Sequence, residues 1–365
     1  MEEKRFEVRG KIWWGLIKKI DSIKKDRNEE KAKEKFITEN FPKEIENFSL
    51  FLNKYVPIID AQVKDTIKNK EEVWFSIKES CIGEDSKKPF LKGLIDRFNN
   101  NNKFKQRFKK FDEIIESIKV SLTRQGYELV YSDKLQTKSR LIIGLGSSHV
   151  LETSIALHHI YGIPYIPASA LKGVCRTVTF WNAVNERKGI LNDKEQFEEF
   201  QKKYYGKLCP DKDILKYQLL FGAQNFKGLL LFLDAYPVIE ENQQVFDLDI
   251  MSVHYQSYYK DNSGKTPPGD WENPRPIVFL TVKEGVKFKF NVLFDKFRAN
   301  EILKMDNEAL KKIMPDIEPE IVRDLLGEFG RGQNNLKGKI KNLLEEALRE
   351  FGVGAKTKLG YGIFE

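Results

Sequence analysis

The sequence is poor in the residues that build disulfide frameworks and metal centres. Its 365 residues include only three cysteines and four histidines. Cys81, Cys175 and Cys209 form no CxxC pair, and no histidine pair has metal-ligand spacing with a cysteine or carboxylate. We therefore expect no disulfide framework, no metal site and no other cofactor, and a reducing setting such as the cytoplasm.

Long apolar runs are also missing. No run reaches the roughly 18 to 20 residues that cross a bilayer, and Met1–Arg5 leads into no apolar signal segment. A membrane partner is therefore not expected. Charge is abundant instead: 62 Lys and Arg stand against 54 Asp and Glu, which gives a net charge of +8. Such an excess suits a polyanionic partner.

Hydrophobic spacing divides the chain near residue 120. Residues 1–120 carry helical patterns, including one over Ile12–Ile20 and one over Ile67–Ile77, and are predicted to form a helical extension. Residues 121–365 mix short apolar runs, glycine turns and amphipathic stretches. This second region is predicted to form one α+β domain.

The order of elements in residues 121–365 indicates a fold. The predicted strands are Leu141–Gly146, Glu152–Tyr161, Gly228–Asp234, Ile277–Val282, Lys287–Phe294 and Leu359–Phe364. Helices are predicted from Ser169 and over residues 320–351. Strand, helix, strand pair, helix and strand is the ferredoxin-like order of RRM folds. Gly228–Asp234, Ile277–Val282 and Lys287–Phe294 are expected to be core strands of one sheet.

The stretch from residue 164 to 176 predicts a helix with an unusual start. Two prolines keep the approach extended, Ser169 stands where an N-cap belongs, and an apolar stripe follows. Lys172 and Arg176 are unfavourable near a helix start unless an anion binds there. Gly173 weakens a helix but lets another backbone come close. The alternative is a core helix with two solvated cations.

The stretch Gly352–Gly362 combines four glycines with Lys356 and Lys358. It is not a nucleotide P-loop, because a P-loop follows a strand and precedes a helix, whereas this stretch follows a predicted helix. Its permissive backbone and its cations favour a nest for phosphates. The alternative is a helix-to-strand turn that needs several glycines.

Aromatic residues mark two further segments. Phe104, Phe108 and Phe111 lie among bases, but their i, i+4, i+7 spacing predicts a buried stripe rather than an RNA-binding run. Residues 245–276 are predicted to be an insertion with a long loop rich in Tyr, Trp, Gly and Pro. Its rings either stack on bases or pack on the loop itself or on a neighbouring subunit.

Few residues offer acid–base or nucleophilic chemistry. A histidine together with a Lys or Tyr could cleave RNA by general acid–base catalysis, and His149 and His254 are the candidates. A packed or hydrogen-bonding histidine is the more common case. Cys175 falls on the apolar stripe of its helix and is predicted to be a core residue.

Several of these motifs together resemble the RAMP superfamily of CRISPR proteins, and within it the sixth-subunit family of Cmr (type III-B) effector complexes. The similar segments are Gly144-x-Gly146, Val150–Thr153, Leu157–His158, Tyr161–Pro167, Ser169-x-Leu171–Gly173-x-x-Arg176, Asp249–Met251, His254–Tyr255, Tyr258–Tyr259, Asp270–Trp271, Pro274, Pro276–Ile277, Phe279–Val282 and Gly352–Gly362. Residues before 120 carry no such motif. Ala168 and Ala170 replace a glycine and a small or serine residue that are common there, which weakens the case for hydrogen bonding at these positions.

The resemblance implies a non-catalytic RAMP subunit with a ferredoxin-like (RRM-like) core that serves RNA-guided antiviral defence. It would cap the backbone filament and hold the guide RNA toward its 3′ side. The implied partners are guide RNA, target RNA and other Cmr subunits, namely the backbone RAMP, the small helical subunit and the capping RAMP. The residues expected to contact RNA are Ser169, Lys172, Gly173, Arg176, Gly354, Lys356, Thr357, Lys358, His149, His254, Tyr258 and Arg275.

Within this expectation, the loop of residues 245–276 would be a thumb-like element that disturbs the guide–target duplex. The helix start and the glycine stretch would form a two-part clamp, provided that the fold brings Gly354 toward Gly173. Two other functions stay open. The chain could be a metal-independent RAMP endoribonuclease that processes guide RNA, or a protein that mainly joins other subunits.

Overall fold

The computed structural model describes most of the chain after residue 83 and short pieces before it. The described residues are 6–7, 47–49, 52, 58–66, 72–80, 84–147, 149, 151–187, 189–240, 243–269, 271–331 and 333–365. The amphipathic pattern over Ile12–Ile20 lies outside them. None of the helices in these ranges is both long enough and apolar enough to span a membrane.

Helices and strands are mixed along the described chain. The strands are β1 (Phe6–Glu7), β2 (Ile58–Thr66), β3 (Glu72–Ser80), β4 (Tyr127–Gln136), β5 (Gly222–Ala223), β6 (Phe226–Lys227), β7 (Leu230–Phe232), β8 (Tyr236–Val238), β9 (Phe246–Val253), β10 (Arg275–Val282) and β11 (Lys287–Asp295). The helices are α1 (Glu84–Asn99), α2 (Asn102–Arg124), α3 (Ala168–Asn185), α4 (Lys194–Tyr205), α5 (Lys212–Phe221), α6 (Gln256–Lys260), α7 (Lys296–Lys304), α8 (Asn307–Ile313), α9 (Pro319–Arg331) and α10 (Gln333–Glu346). The predicted mixture of helix and sheet is confirmed.

By its contacts the chain divides into two compact units that interleave along the sequence. Unit 1 comprises residues 1–107, 144–164 and 240–283, and unit 2 comprises residues 108–143, 165–239 and 284–365. The boundary expected near residue 120 falls inside α2, which runs from unit 1 into unit 2. The expected insertion at residues 245–276 belongs to unit 1.

In unit 1, strands occupy part of the region expected to be helical. β2 and β3 pair antiparallel, and β1 pairs with β2. The helix predicted over Ile67–Ile77 is therefore wrong where β3 runs. Val73, Phe75 and Ile77 alternate along the sequence with the period of two that is typical of a strand.

Unit 1 also has an aromatic core between α1, α2 and β9. Phe48, Phe98, Phe104 and Phe246 are fully buried. The rings of Phe48 and Phe246 stack with centroids 4.3 Å apart, and Phe98 meets Phe48 edge-on at 4.8 Å. Asn99 Nδ2 donates to the Phe246 carbonyl at 3.2 Å, which ties the end of α1 to β9. Burial of Phe104 confirms the predicted stripe at this position.

Unit 2 is built on an antiparallel sheet with β4 and β11 at its centre. β11 pairs with β4 on one side and with β7 and β8 on the other. The C-terminal residues pair with the outer edge of β4, where Glu365 and Gln136 exchange two hydrogen bonds of 2.9 and 3.0 Å. The order across the sheet is thus the C-terminal tail, β4, β11, and then β7 with β8.

Helices cover both faces of this sheet. Ser132 of β4 contacts α2, because the Lys119 ammonium donates to its hydroxyl at 3.2 Å. Tyr131, the preceding residue, points to the other face by strand alternation. There burial raises the pKa of its phenol, and the negative charges of Asp133 and of Glu345 in α10 raise it further. On this face α10 packs on β4, and α3 packs on β7 and on α10. The sheet therefore lies between α2 and the α3–α10 pair.

Several predicted strands are corrected. Residues 152–161 form turns and irregular backbone. Leu141–Gly146 forms no strand, although Leu141 and Ile142 are fully buried. Residues 277–282 belong to β10, which pairs with β9 in unit 1 and not with the sheet of unit 2. At the C-terminus only the residues around Phe364 pair with the sheet, because Thr357–Leu359 forms a 3₁₀ turn. The predicted helix over residues 320–351 is two helices followed by a π-helical turn.

Candidate nucleic-acid interface

Helix α3 starts where the sequence predicts, but with a different cap. Pro167 is the N-cap residue, and no side chain of the local sequence caps the helix. The prediction that Ser169 is the N-cap is therefore wrong. Instead, Asp234 Oδ1 accepts a hydrogen bond of 2.6 Å from the Ala168 N–H. An internal carboxylate thus supplies the negative charge that the first turn lacks.

The first turns of α3 still carry uncompensated positive charge. Partial burial lowers the pKa of Lys172, and the nearby positive charges of Arg176 and Lys227 lower it further. In the described part of the chain, no carboxylate raises the pKa of Lys172. We call Lys172, Arg176 and Lys227 the α3 basic group. Three cations this close together favour an anionic ligand.

Arg176 is the most firmly held member of this group. Its guanidinium lies 4.9 Å from the centre of the Tyr205 ring and 5.9 Å from that of Tyr204. It also donates to the Tyr204 carbonyl at 3.3 Å. Arg176 therefore fastens α3 to the end of α4, and Lys172 and Lys227 have the freer side chains.

The outer surface of α3 is open beside these cations. Ser169 and Gly173 are exposed. A Cβ atom added to Gly173 would meet no atom within 4 Å, so no packing of the described residues requires a glycine here. The opposite side of the helix, with Leu171, Cys175 and Val178, is buried as predicted. A flexible polyanion can therefore approach the α3 backbone at Gly173.

The glycine stretch at the C-terminus forms a closed loop, here called the tail loop (residues 352–362). The Ala355 N–H donates to the Ile142 carbonyl at 2.7 Å, and the Val353 N–H donates to the Gly362 carbonyl at 3.0 Å. Gly354 has φ +101°, and a Cβ there would lie 2.2 Å from the Ile142 carbonyl oxygen. These glycines are required by the turn itself.

One part of the tail loop nevertheless keeps free donors. Lys356 has φ +59°, a left-handed conformation that is uncommon for lysine, and a 3₁₀ turn follows it. Within the described residues, no hydrogen bond uses the N–H groups of Lys356, Thr357 and Lys358. Successive free N–H groups after a left-handed residue form an anion-binding nest.

The α3 start and the tail loop have anchors at opposite edges of the unit 2 sheet. Ile166 pairs with Ala235 beside β7 and β8, whereas the tail pairs with β4. No hydrogen bond or ion pair among the described residues joins the two segments directly. They are linked by packing of α3 on the π-helical turn Ala347–Phe351, which leads into the tail loop. The two-part clamp stays a prediction.

The remaining predicted contacts lie in unit 1 and differ in exposure. His149 is largely enclosed: Nδ1 accepts from the Leu151 N–H at 3.1 Å. Burial lowers the pKa of His149, and the positive charge of Lys87 lowers it further, whereas a hydrogen bond with the Leu52 backbone acts in the opposite direction. Because the net shift is downward, the ring is neutral at neutral pH. His254, in contrast, is exposed.

Large aromatic rings project from the loop between β9 and β10. Trp271 is 78% exposed, Tyr259 is 71% exposed and Tyr258 is 45% exposed. Asp261 holds the loop together by accepting bonds from the Ser263, Lys265 and Thr266 N–H groups. Hydrogen bonds from the side chains of Ser263 and Thr266, and then from their backbone N–H groups, lower the pKa of Asp261. The rings therefore present a stacking surface on an ordered loop.

Arg275 stands at the base of this loop, where β10 begins. Its guanidinium lies 3.8 Å from Glu152, which also accepts a 2.8 Å bond from Lys87. Glu152 adopts φ +66°. Arg275 thus has an internal carboxylate nearby, unlike Lys172.

The described residues also show which metal-binding and nucleophilic groups are available. The described residues contain no group of three His, Cys, Asp or Glu side chains arranged to hold a metal ion. Cys175 is 1% exposed, and burial raises the pKa of its thiol to about 12. It is a core residue, as predicted, and its thiol stays protonated at neutral pH.

Sequence reasoning missed Asp234 and Lys227, two residues that shape the α3 start. Asp234 lies between β7 and β8, and Lys227 lies in the β5–β6 hairpin, far along the chain from α3. Arg298 fixes this hairpin, because its guanidinium donates to the Lys227 carbonyl and lies 5.1 Å from the centre of the Phe226 ring. In the sequence, each of these two residues is only a charged residue beside a short hairpin. Many surface residues fit that description, so the signal is too weak to select them.

Comparison with known proteins decides the family. A family model of the RAMP superfamily matches residues 134–365. The chain is 32% identical to the CRISPR system Cmr subunit Cmr6 of Pyrococcus furiosus over an alignment of 367 positions, gaps included, that covers 87% of this chain and 93% of that protein. The chain belongs to the RAMP superfamily and, within it, to the Cmr6 family. The RAMP, type III-B and CRISPR predictions are thereby confirmed.

Two solved structures are also similar to this Cmr6 homologue. The crystal structure of Pyrococcus furiosus Cmr6 shares 30% identity and covers 66% of this chain and 97% of its own, with a TM-score of 0.38. A cryo-EM structure of the type III-B Cmr-beta complex bound to cognate target RNA contains a chain with 21% identity. That match covers 70% of this chain and 64% of the other, with a TM-score of 0.42.

Proposed function

We propose that this Cmr6-family chain is a non-catalytic RNA-binding subunit of a type III-B effector complex. It holds the backbone of the guide RNA toward its 3′ side and caps the filament of RAMP subunits in the cytoplasm. Its partners are guide RNA, target RNA and the other Cmr subunits. Family membership supports the complex, and the α3 basic group supports the contact with RNA.

The carrying observation is the unbalanced charge at the α3 start. Lys172 and Lys227 come from separate elements and lie near each other, and among the described residues no carboxylate acts on the charge of Lys172. The open surface at Gly173 adds room for a sugar–phosphate backbone. Contacts of this kind read phosphate rather than base sequence, which suits a subunit that must accept many different guides.

The unit 2 sheet supports a ferredoxin-like core. Counting the C-terminal pairing segment as the fourth strand, β4 as the first, β7–β8 as the second and β11 as the third, the strand order is 4-1-3-2. α3 follows the first strand and α10 precedes the fourth, as that fold requires. However, α2 covers the sheet face on which RRM domains stack bases. The RNA would therefore bind at helix starts and loops.

Two other expected contacts keep their place in the proposal. The free N–H groups beside Lys356 supply a second phosphate site in the tail loop. The exposed rings of Tyr258, Tyr259 and Trp271 supply a thumb-like stacking element for guide or target RNA. In contrast, His149 is enclosed and contributes to RNA binding only through the packing of unit 1.

The test is the salt dependence of guide binding by the full chain. Replacing Lys172 and Lys227 with alanine should remove two phosphate contacts. The slope of log affinity against log salt should then fall by about 1.4 for two guides of unrelated sequence. Lys202→Ala with Lys312→Ala removes the same charge elsewhere and serves as the matched control. An unchanged slope in the first pair, or an equal loss in the control, would contradict the α3 site.

The non-catalytic assignment is tested separately. Purified chain incubated alone with a repeat-containing RNA should give no site-specific cut. A specific cut that disappears in His149→Ala or His254→Ala would favour the endoribonuclease instead. Retained assembly and target capture after removal of both basic sites would favour a protein that mainly joins subunits.

A further inference from the structure

The sheet face under α2 contains a buried polar cluster. Lys289 Nζ lies 2.9 Å from Asp112 of α2. The Lys119 ammonium donates to Ser132 Oγ at 3.2 Å, and the Ser132 hydroxyl donates to Asn291 Oδ1 at 2.9 Å. Because the Ser132 hydroxyl accepts from Lys119, it donates its own proton to Asn291. The amide atom that accepts this proton must be the oxygen Oδ1, so the other atom is the nitrogen Nδ2.

One donor in this cluster has no partner among the described residues. Asn291 is 1% exposed, and its Nδ2 forms no hydrogen bond with any described residue. A buried amide donor is rarely left unpaired, because its loss of water is then uncompensated. The amide therefore needs a partner that no nearby protein atom supplies.

A small cavity lies beside Asn291. Its volume is about 10 Å³, and its walls include Asn291, Lys289, Asp112, Asp234 and Tyr236. One water molecule needs about 10–15 Å³ of such space and two to four polar partners. Apolar cavities stay dry, whereas Ile115 and Pro237 share the walls of this one with charged and amide groups.

We propose that the cavity binds one structural water molecule. The water accepts hydrogen bonds from Asn291 Nδ2 and the Lys289 ammonium, and it donates to the carboxylates of Asp112 and Asp234. Two donors and two acceptors satisfy a water molecule completely. Of the three ammonium protons of Lys289, contacts with Asp112 and Glu116 occupy two, so one is available.

This water would position the start of α3. Asp234 caps the helix through the 2.6 Å bond from Ala168, and the Tyr236 hydroxyl lies 3.4 Å from its other oxygen. A water shared with Asn291 would join this carboxylate to the centre of the sheet. The orientation of the cap then depends on Asn291, a residue remote from the helix in sequence. This role does not depend on RNA binding.

Oxygen-17 magnetic relaxation dispersion of the full chain counts long-lived internal waters. Asn291→Leu keeps the side-chain size but removes the donor, so the count should fall by one. The Ala168 N–H should also exchange at least several-fold faster with solvent, because its acceptor is less firmly held. Thr179→Val is the matched control, since it disturbs α3 at its 2.6 Å contact with Tyr204 and leaves the cavity intact.

An equal water count in wild type and Asn291→Leu would overturn the proposal, as would a loss of one water in Thr179→Val. If Asn291→Leu does not fold, a crystal structure of the wild-type chain decides. Density should lie about 2.7–3.2 Å from Asn291 Nδ2 and from a carboxylate oxygen. An Asn291 amide bonded directly to protein, with no density in the cavity, would overturn it equally.

Discussion

The α3 start and the tail loop both combine glycine with lysine, yet the glycines do different work. Gly173 lies in an ordinary helical conformation with open space around it, whereas Gly354 has a positive φ and touches the Ile142 backbone. In the tail loop it is Lys356 that departs from its preferred conformation. Gly173 and Lys356 are thus the residues that local folding disfavours. A residue kept against local preference points to function.

Gly354→Ala should give the largest effect. The new methyl would overlap the Ile142 carbonyl and would sit at φ +101°. We expect the free energy of unfolding of unit 2 to fall by more than about 3 kcal/mol, measured by urea denaturation. Gly360→Ala, which also has a positive φ (+89°) but no atom within 4 Å, should cost only about 1–2 kcal/mol. Equal losses would show that the contact with Ile142 is unimportant.

Asp234→Ala should come next, because the α3 start depends on this internal cap. Loss of the bond to Ala168 should cost about 1–2 kcal/mol of stability and weaken guide RNA binding about fivefold. Asp193→Ala removes the cap of α4, where the carboxylate accepts from the Glu195 and Gln196 N–H groups. This control should lose similar stability with unchanged RNA affinity. Undiminished binding in Asp234→Ala would separate the cap from the interface.

Gly173→Ala should act in opposite directions on stability and binding. Alanine should stabilise α3 by up to about 1 kcal/mol, while its methyl group should obstruct the RNA backbone and weaken guide binding. Gly338→Ala is the control, because Gly338 is an exposed glycine of α10 that also has no atom within 4 Å. It should show the gain in thermal stability alone. Full RNA affinity in Gly173→Ala would make this glycine incidental.

Lys356→Gly should have the smallest effect on folding. Removing a left-handed lysine should raise the free energy of unfolding by up to about 1 kcal/mol. Binding of guide RNA should weaken, and its salt slope should fall by about 0.7. Lys356→Asn also tolerates this conformation but lacks the charge, so it should bind as weakly as Lys356→Gly. Wild-type binding in both variants would leave the tail loop a purely structural turn.

Sequence periodicity predicted the helices better than the strands. The stripe Leu171, Cys175 and Val178 repeats at helical spacing and is buried, because a helix places these positions on one side. Short apolar runs are ambiguous, since burial alone makes both coil and strand apolar. Ile142 is fully buried, yet its carbonyl accepts from the tail loop and not from a neighbouring strand.

Local sequence patterns also could not predict which strands pair with each other. β10 and β11 follow each other closely, and both contain continuous apolar runs. Nevertheless, β10 pairs with β9 in unit 1, while β11 pairs with β4 and β7 in unit 2. Pairing depends on which distant segments meet, and a run of apolar residues has the same composition in either sheet.

The candidate site was likewise only partly predictable from the sequence. Lys172, Gly173 and Arg176 were recognisable because their spacing along one helix is legible in the sequence. Their electrostatic surroundings were not, because Lys227 and Asp234 reach the α3 start from elements 50 or more residues later in the chain. The serine chosen as the cap lies one residue inside the helix.

The sequence alone therefore determined the family, the mixed helix and sheet content, the buried side of α3 and the cations on its surface. These features follow from local spacing and from motifs that are short and contiguous. Only the tertiary structure decided that Asp234 caps α3, that Lys227 completes the basic group and that the tail-loop glycines belong to the turn. Each of these depends on a contact between distant segments, and such contacts arise when buried surface and hydrogen bonds of the whole fold are satisfied together.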